Sequence, residues 1–300
     1  MTHYTSRTIP SLMLLSSLAA CGTTQTAATN DHASHADVAP VVSSNSVSDK
    51  SLPAAAEDAQ ARLNSSPRHG EWAMIKLSNG DSLRAWIVYP ERKTKAPVVV
   101  VIHEIFGLST WIRAVADQFA ADGFIAIAPD LLTMKNLPTG PDSVVAQAAT
   151  VAIRTLDHEM VQQQIDAAAR YAMALPAAQQ RYGVVGFCWG GGTSFAHAVH
   201  SPTLGASVVY YGVSPAPASL ASVRAPVLGL YAGNDARVNA TIPSADSAMK
   251  QIGKTYEIHT YEGAGHGFLR QQSGQNGANL SATRQAWPAT ITWFRKYLEG

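Results

Sequence analysis

The chain is 300 residues long, 46% hydrophobic and 14% charged, which is enough apolar material for a full core and excludes a chain that is disordered throughout. Its 22 lysines and arginines balance 21 aspartates and glutamates, so the basic surface on which nucleic-acid binding relies is missing. Two cysteines form at most one disulfide, which excludes a disulfide scaffold, and no run of about 18 apolar residues offers a membrane-spanning helix.

At the N-terminus, Arg7 precedes a short apolar run from Ile9 to Ala20 that closes on small residues. This is secretory-signal architecture, too short to cross a bilayer. Its end, Leu18-Ala19-Ala20-Cys21, resembles the lipobox of bacterial lipoproteins. The resemblance implies cleavage after Ala20, lipidation of Cys21, membrane contact through that anchor, and a periplasmic or membrane-anchored location beyond the inner membrane. An ordinary cleaved signal with a coincidental cysteine is the alternative. From Thr23 to about Ser66 the chain is rich in Ala, Ser, Thr, Asn and Asp without apolar periodicity. A lipid-anchored, disordered linker is therefore expected over residues 21–66, with His32 and His35 as solvated spacer residues.

Residues 67–300 alternate between strand and helix patterns. Glu71 to Leu77 and Ser82 to Tyr89 flank the turn signal Asn79-Gly80-Asp81 and predict a hairpin. The unbroken β-branched run within Ala96 to Ile102 predicts a strand buried on both faces. A helix fits Thr110 to Ala121, ended by Asp122-Gly123, and Phe124 to Ala128 predicts the next strand. Asp157 is placed to cap a helix whose apolar positions Val161, Ile165, Ala168, Ala169 and Ala172 keep helical spacing. Then follow a strand at Gly183 to Phe187, a helix at Gly190 to Val199, and strands at Ala206 to Tyr211, Pro226 to Tyr231 and Thr255 to Tyr261. Helices fit Ile242 to Ile252 and Thr283 to Leu298. This alternation predicts an α/β domain: a mostly parallel central sheet with helices on both faces. Functional sites in such sheets lie beyond the carboxyl ends of the strands.

Three residues stand at those ends. Gly186-Phe187-Cys188-Trp189-Gly190 joins a strand to a helix and is a nucleophile elbow with cysteine in the usual serine position. The glycines allow a sharp turn that lifts the thiol above the sheet, and the positive end of the following helix favours an anion there. A buried structural cysteine is the competing reading. Asp235 and His266 each follow a later strand, in Gly233-Asn234-Asp235 and Gly265-His266-Gly267. The chain order nucleophile, acid, histidine is that of α/β-hydrolases. In such a triad His266 accepts the thiol proton, Asp235 orients the ring, and the sulfur attacks an ester or lactone carbonyl. Backbone N–H groups of Trp189 and Ile105 are the candidates for the oxyanion hole.

With these residues in view, the span from Glu71 to Gly300 resembles the dienelactone hydrolases (carboxymethylenebutenolidases). The resemblance rests on His103-Glu104-Ile105-Phe106-Gly107, Ala128-Pro129-Asp130-Leu131, Gly186-Phe187-Cys188-Trp189-Gly190-Gly191, Gly233-Asn234-Asp235 and Gly265-His266-Gly267-Phe268. It implies Cys188, Asp235 and His266 as the triad and Glu104 as a carboxylate that modulates the thiol. It also implies Arg270 as one of the arginines that grip a substrate carboxylate. A second such arginine has no match: between Leu131 and Asp157 the only basic residues are Lys135 and Arg154. Gly267 stands where the best-known members have serine.

Trp111, Trp189 and Tyr210 or Tyr211 are candidate pocket aromatics, with core packing as the competing role. His197 and His200 lack a third ligand at metal spacing and are read as a partly exposed helix end. The sequence therefore predicts a monomeric cysteine hydrolase of small-molecule esters or lactones that needs no cofactor, no metal and no nucleic acid. Acyl transfer or peptide cleavage on the same scaffold, and a non-catalytic surface-binding lipoprotein, are the alternatives.

Overall fold

A computed structural model of the chain describes residues 49–299. The expected signal peptide and the Cys21 anchor lie outside the described residues. Among the described residues no helix is long and apolar enough to cross a membrane.

The expected linker boundary at residue 66 is corrected. Residues 49–66 pack onto the α/β domain, with helix α1 at Ala59–Asn64 and with Leu52, Ala54, Ala55 and Ala59 buried. Trp111 Nε1 donates to the Ala54 carbonyl at 3.0 Å, and Ala56 N–H donates to the Arg270 carbonyl at 2.9 Å. A few small apolar residues anchored by distant partners leave no periodic trace in a sequence, which is why the segment read as spacer.

Eight strands form one sheet: β1 Gly70–Lys76, β2 Ser82–Val88, β3 Ala96–Ile102, β4 Ile125–Pro129, β5 Ala178–Phe187, β6 Ala206–Tyr210, β7 Val227–Asn234 and β8 Tyr256–Gly265. Their spatial order is β1-β2-β4-β3-β5-β6-β7-β8. The β1–β2 and β2–β4 pairs are antiparallel and every other pair is parallel. The helices are α2 Thr110–Ala121, α3 Asp142–Ala152, α4 His158–Met173, α5 Trp189–His200, α6 Ala236–Asn239, α7 Ile242–Gln251 and α8 Ala278–Leu298. The expected α/β-hydrolase arrangement is the one found.

Strand β3 shows why its run is unbroken. Val99 and Val101 join the core that includes α2 and α8 residues such as Phe119, Trp287 and Phe294. Val98, Val100 and Ile102 join the opposite core with Ile165 and Ala168 of α4 and Phe195 of α5. With helices on both sides neither face tolerates a polar residue, and each such side chain contributes about 2 kcal/mol by burial. Asp157 caps α4 as expected, accepting from Met160 N–H at 2.8 Å. Helix α3 was not foreseen: it starts after Pro141 without a side-chain cap and leaves Val144 and Val151 exposed.

Strand register brings the site together. Ile102 pairs with Gly186, Phe187 with Tyr210, and Asn234 with Gly265. One residue beyond those pairs stand His103, Cys188, Tyr211, Asp235 and His266, all leaving the same edge of the sheet.

Candidate active site

The elbow holds Cys188 at φ 56° and ψ −115°, a conformation rare for a residue with a side chain. Glycines make it possible. A Cβ on Gly186 would lie 1.9 Å from the Gly190 carbonyl oxygen, and one on Gly190 would lie 2.4 Å from that of His103. The backbone is pinned by Cys188 N–H donating to the Tyr210 carbonyl at 3.1 Å and by Gly192 N–H donating to the Cys188 carbonyl at 3.2 Å. Half-buried Cys188 therefore stands at the N-cap of the 12-residue helix α5.

His266 stands between the thiol and a carboxylate. Its Nδ1 lies 2.5 Å from Asp235 Oδ2, and its ring also hydrogen-bonds the Cys188 thiol. The other Asp235 oxygen, Oδ1, accepts from Val238 N–H at 3.4 Å and so caps the short helix α6. Burial alone would lower the His266 pKa, but the bonds to Asp235 and Cys188 outweigh it and push the value up to about 10. The ring is thus cationic at neutral pH, with one N–H toward the acid and the other toward sulfur. The Tyr211 ring meets it edge-on at 5.1 Å between centroids.

Glu104 is nearly inaccessible and pairs with Arg270, whose Nε lies 2.7 Å from Oε2. That Nε makes no well-aligned hydrogen bond, so charge attraction more than a linear bond holds the pair. Burial raises the Glu104 pKa against the opposing pull of Arg270 and His266. Arg270, expected to meet a substrate carboxylate, is engaged by Glu104 and covers the Phe106 ring at 5.0 Å.

His103 fixes the loop that carries Glu104. Its Nδ1 lies 2.7 Å from the Glu104 carbonyl, and its ring stacks on Trp189 at 5.7 Å. Burial keeps its pKa below the ordinary value, so the ring is neutral and Nδ1–H is the donor. Ile105 and Trp189 pack on one buried cluster of Leu132, Ala149 and Ile153, so the two expected oxyanion loops are neighbours.

Two expectations change. Trp111 is a core residue, 3% exposed and edge-on to Phe187 at 5.2 Å, not a pocket wall. His197 is fully buried, where a helix-end position was expected. It bridges Gln162 Oε1 at 2.8 Å and the Tyr182 hydroxyl at 3.0 Å, and burial drives its pKa to about 3. His200, at the partly exposed end of α5 as expected, pairs with Asp166 at 3.0 Å. Among the described residues no group of three His, Cys, Asp or Glu side chains is placed to hold a metal ion.

Of the two candidate tyrosines, Tyr211 is the one that reaches the site. It is fully buried at φ 39°. Its hydroxyl has no hydrogen-bond partner among the described residues and lies within electrostatic range of Glu104, Arg270 and Cys188. Tyr210 turns into the core and bonds the Thr290 hydroxyl at 2.7 Å.

Comparison with known proteins agrees with this architecture. A Salmonella typhi protein provisionally named a carboxymethylenebutenolidase is 29% identical over 232 residues, which are 73% of this chain and 85% of that one. A Bradyrhizobium protein provisionally named a 2-oxo-3-(5-oxofuran-2-ylidene)propanoate lactonase is 31% identical over 244 residues, 77% of this chain and 95% of that one. A crystal structure described provisionally as a dienelactone hydrolase of Klebsiella pneumoniae is 26% identical, covers 77% of this chain and 99% of its own, and superposes with a TM-score of 0.68. The dienelactone hydrolase family profile matches residues 83–298. The chain thus belongs to the dienelactone hydrolase family and is a hydrolase of that α/β fold.

Proposed function

We propose that the protein hydrolyses carboxylic esters or lactones with Cys188 as nucleophile. The observation that carries this reading is one ring, His266, hydrogen-bonded both to the Asp235 carboxylate at 2.5 Å and to the Cys188 thiol. Once the Cys188 proton has passed to Glu104, the sulfur adds to the carbonyl carbon and the carbonyl electrons move onto oxygen. That oxyanion is met by the backbone N–H groups of Trp189 and Ile105, which need no reorganisation as charge develops. The C–O bond to the alcohol then breaks, His266 gives its proton to the leaving oxygen, and a thioester remains on Cys188. In the second half His266 takes a proton from water, the hydroxide attacks the thioester, and carboxylate and thiol are released. Asp235 keeps the ring oriented and offsets its charge throughout.

Glu104, Arg270 and Cys188 all lie within electrostatic range of Tyr211. A substrate carboxylate that takes over Arg270 releases Glu104 to accept a proton from Cys188, which couples activation to binding. Turnover of a panel of aryl esters and lactones, together with mass spectrometry of the quenched reaction, tests the reading. An acyl adduct on Cys188 and loss of turnover in Cys188→Ala are expected. Unchanged turnover in that variant removes the nucleophile assignment.

Export and a lipid anchor at Cys21 belong to the same proposal and rest on the pattern of residues 1–21 alone. Mass spectrometry of the mature N-terminus decides it, since an unmodified Cys21 refutes lipidation.

A further inference from the structure

No step of the reaction uses His103, yet it is a fully buried histidine that directly follows β3. Its Nε2 has no hydrogen-bond partner among the described residues, an arrangement that lowers stability. An apolar side chain of similar size would fill the space without that cost. The reason for a histidine here lies in its other nitrogen and in the face of its ring.

Nδ1–H donates to the Glu104 carbonyl at 2.7 Å. The same oxygen accepts a longer bond from Gly107 N–H, at 3.3 Å. The Glu104 carbonyl and the Ile105 N–H belong to one planar peptide unit and point in opposite directions. Holding the oxygen therefore fixes where the Ile105 N–H points. Among the described residues no backbone carbonyl accepts from that N–H, which leaves it open to an oxyanion. A donor on the carbonyl also polarises the unit and strengthens its N–H.

The ring face meets the other donor residue. It stacks on Trp189 at 5.7 Å between centroids and 20° between planes. Trp189 opens α5, so its N–H has no acceptor within the helix. One buried side chain thus touches both segments that carry the expected oxyanion donors.

The geometry points to His103 as the positioning residue of the oxyanion hole: its Nδ1–H aims the Ile105 N–H, and its ring holds Trp189 beside it. This assignment rests on the proposed hydrolase reading and adds to it the group that preorganises the hole. It gives His103 no proton transfer and no contact with the reacting atoms.

Turnover of p-nitrophenyl acetate by the full chain, set against alkylation of Cys188 by iodoacetamide, tests it. Ester acylation and deacylation both pass through an oxyanion. Alkylation displaces iodide from a saturated carbon and develops no charge on a carbonyl oxygen. His103→Leu removes the donor and keeps the bulk. Its kcat is expected to fall about 100-fold, the lower end for loss of an oxyanion donor, with KM within about threefold and the alkylation rate within about twofold of native. His103→Asn places an amide N–H where Nδ1–H stood, and should regain about tenfold of the lost kcat. Should His103→Leu fail to fold, His103→Ala gives the same comparison. Native kcat in the variant overturns the proposal, as does a loss carried by KM alone or the absence of recovery in His103→Asn. An equal fall in turnover and alkylation also overturns it, since that marks a disturbed elbow. Turnover that survives Cys188→Ala sinks the hydrolase reading instead, so the two failures show in different variants.

Discussion

Glu104 Oε2 and Arg270 Nε lie 2.7 Å apart with the Glu104 side chain 4% exposed and that of Arg270 21% exposed. Removing one partner leaves the other charge uncompensated, and the more buried carboxylate suffers most. Arg270→Ala is expected to cost about 3 kcal/mol in urea unfolding, the low end for a buried pair because Arg270 is partly solvated. The double variant Glu104→Gln/Arg270→Ala recovers most of that loss, since it leaves no unpaired buried charge. A double variant as unstable as Arg270→Ala alone would show that Arg270 acts through packing on Phe106 instead.

His266 gives the fold a pH signature. Its folded-state pKa, about 10, stands above the ordinary histidine value of 6.5. A raised pKa means that the folded protein holds the proton more tightly than the unfolded chain. The stabilisation is therefore complete below about pH 6.5, declines as pH rises, and is gone above about pH 10. Asp235→Asn removes the charge that supports the imidazolium, so the stability difference between native and variant protein narrows steadily across that window. Ester turnover in Asp235→Asn is expected to fall by about a thousandfold or more, because the ring loses its tautomer and its counter-charge. Stability curves at pH 6, 8 and 10 and initial rates check both halves.

What could be read from the sequence follows the range of the interactions that set it. The β3 run shows its two-sided burial directly in Val98 to Val101. The elbow around Cys188 was legible because the glycines that shape it are its neighbours. Asp235 and His266 were legible because each directly follows a strand. Features made by distant contacts were not. Nothing near Leu52 or Ala54 announces that Trp111 will bond there, and the Glu104–Arg270 pair spans most of the domain. The positive φ of Tyr211 leaves no mark on Tyr210-Tyr211-Gly212.

Tyr211 offers a test in which stability and activity move in different directions. Its buried hydroxyl has no partner among the described residues, an arrangement that costs stability. Tyr211→Phe deletes that oxygen without opening a cavity, so thermal stability should hold or rise, by up to about 1 kcal/mol. If the hydroxyl meets the substrate or Glu104 during turnover, kcat/KM falls about tenfold in the same variant. A matched loss of stability and activity would assign Tyr211 to packing around Phe268 and His266.

The elbow itself stores backbone strain at Cys188. Cys188 at φ 56° occupies backbone space that glycine enters without penalty. Cys188→Gly and Cys188→Ala both remove the thiol and its bond to His266, so both should lose turnover. They differ in the backbone alone: alanine keeps the Cβ clash that the positive φ imposes, while glycine relieves it. Against this, glycine adds freedom to the unfolded chain, worth up to about 1 kcal/mol. Strain at such a position is about 1–3 kcal/mol, so the glycine variant should be the more stable by about 1 kcal/mol. Paired melting curves of the two inactive variants isolate that term. A glycine variant less stable than the alanine variant would show that the elbow is not strained at Cys188.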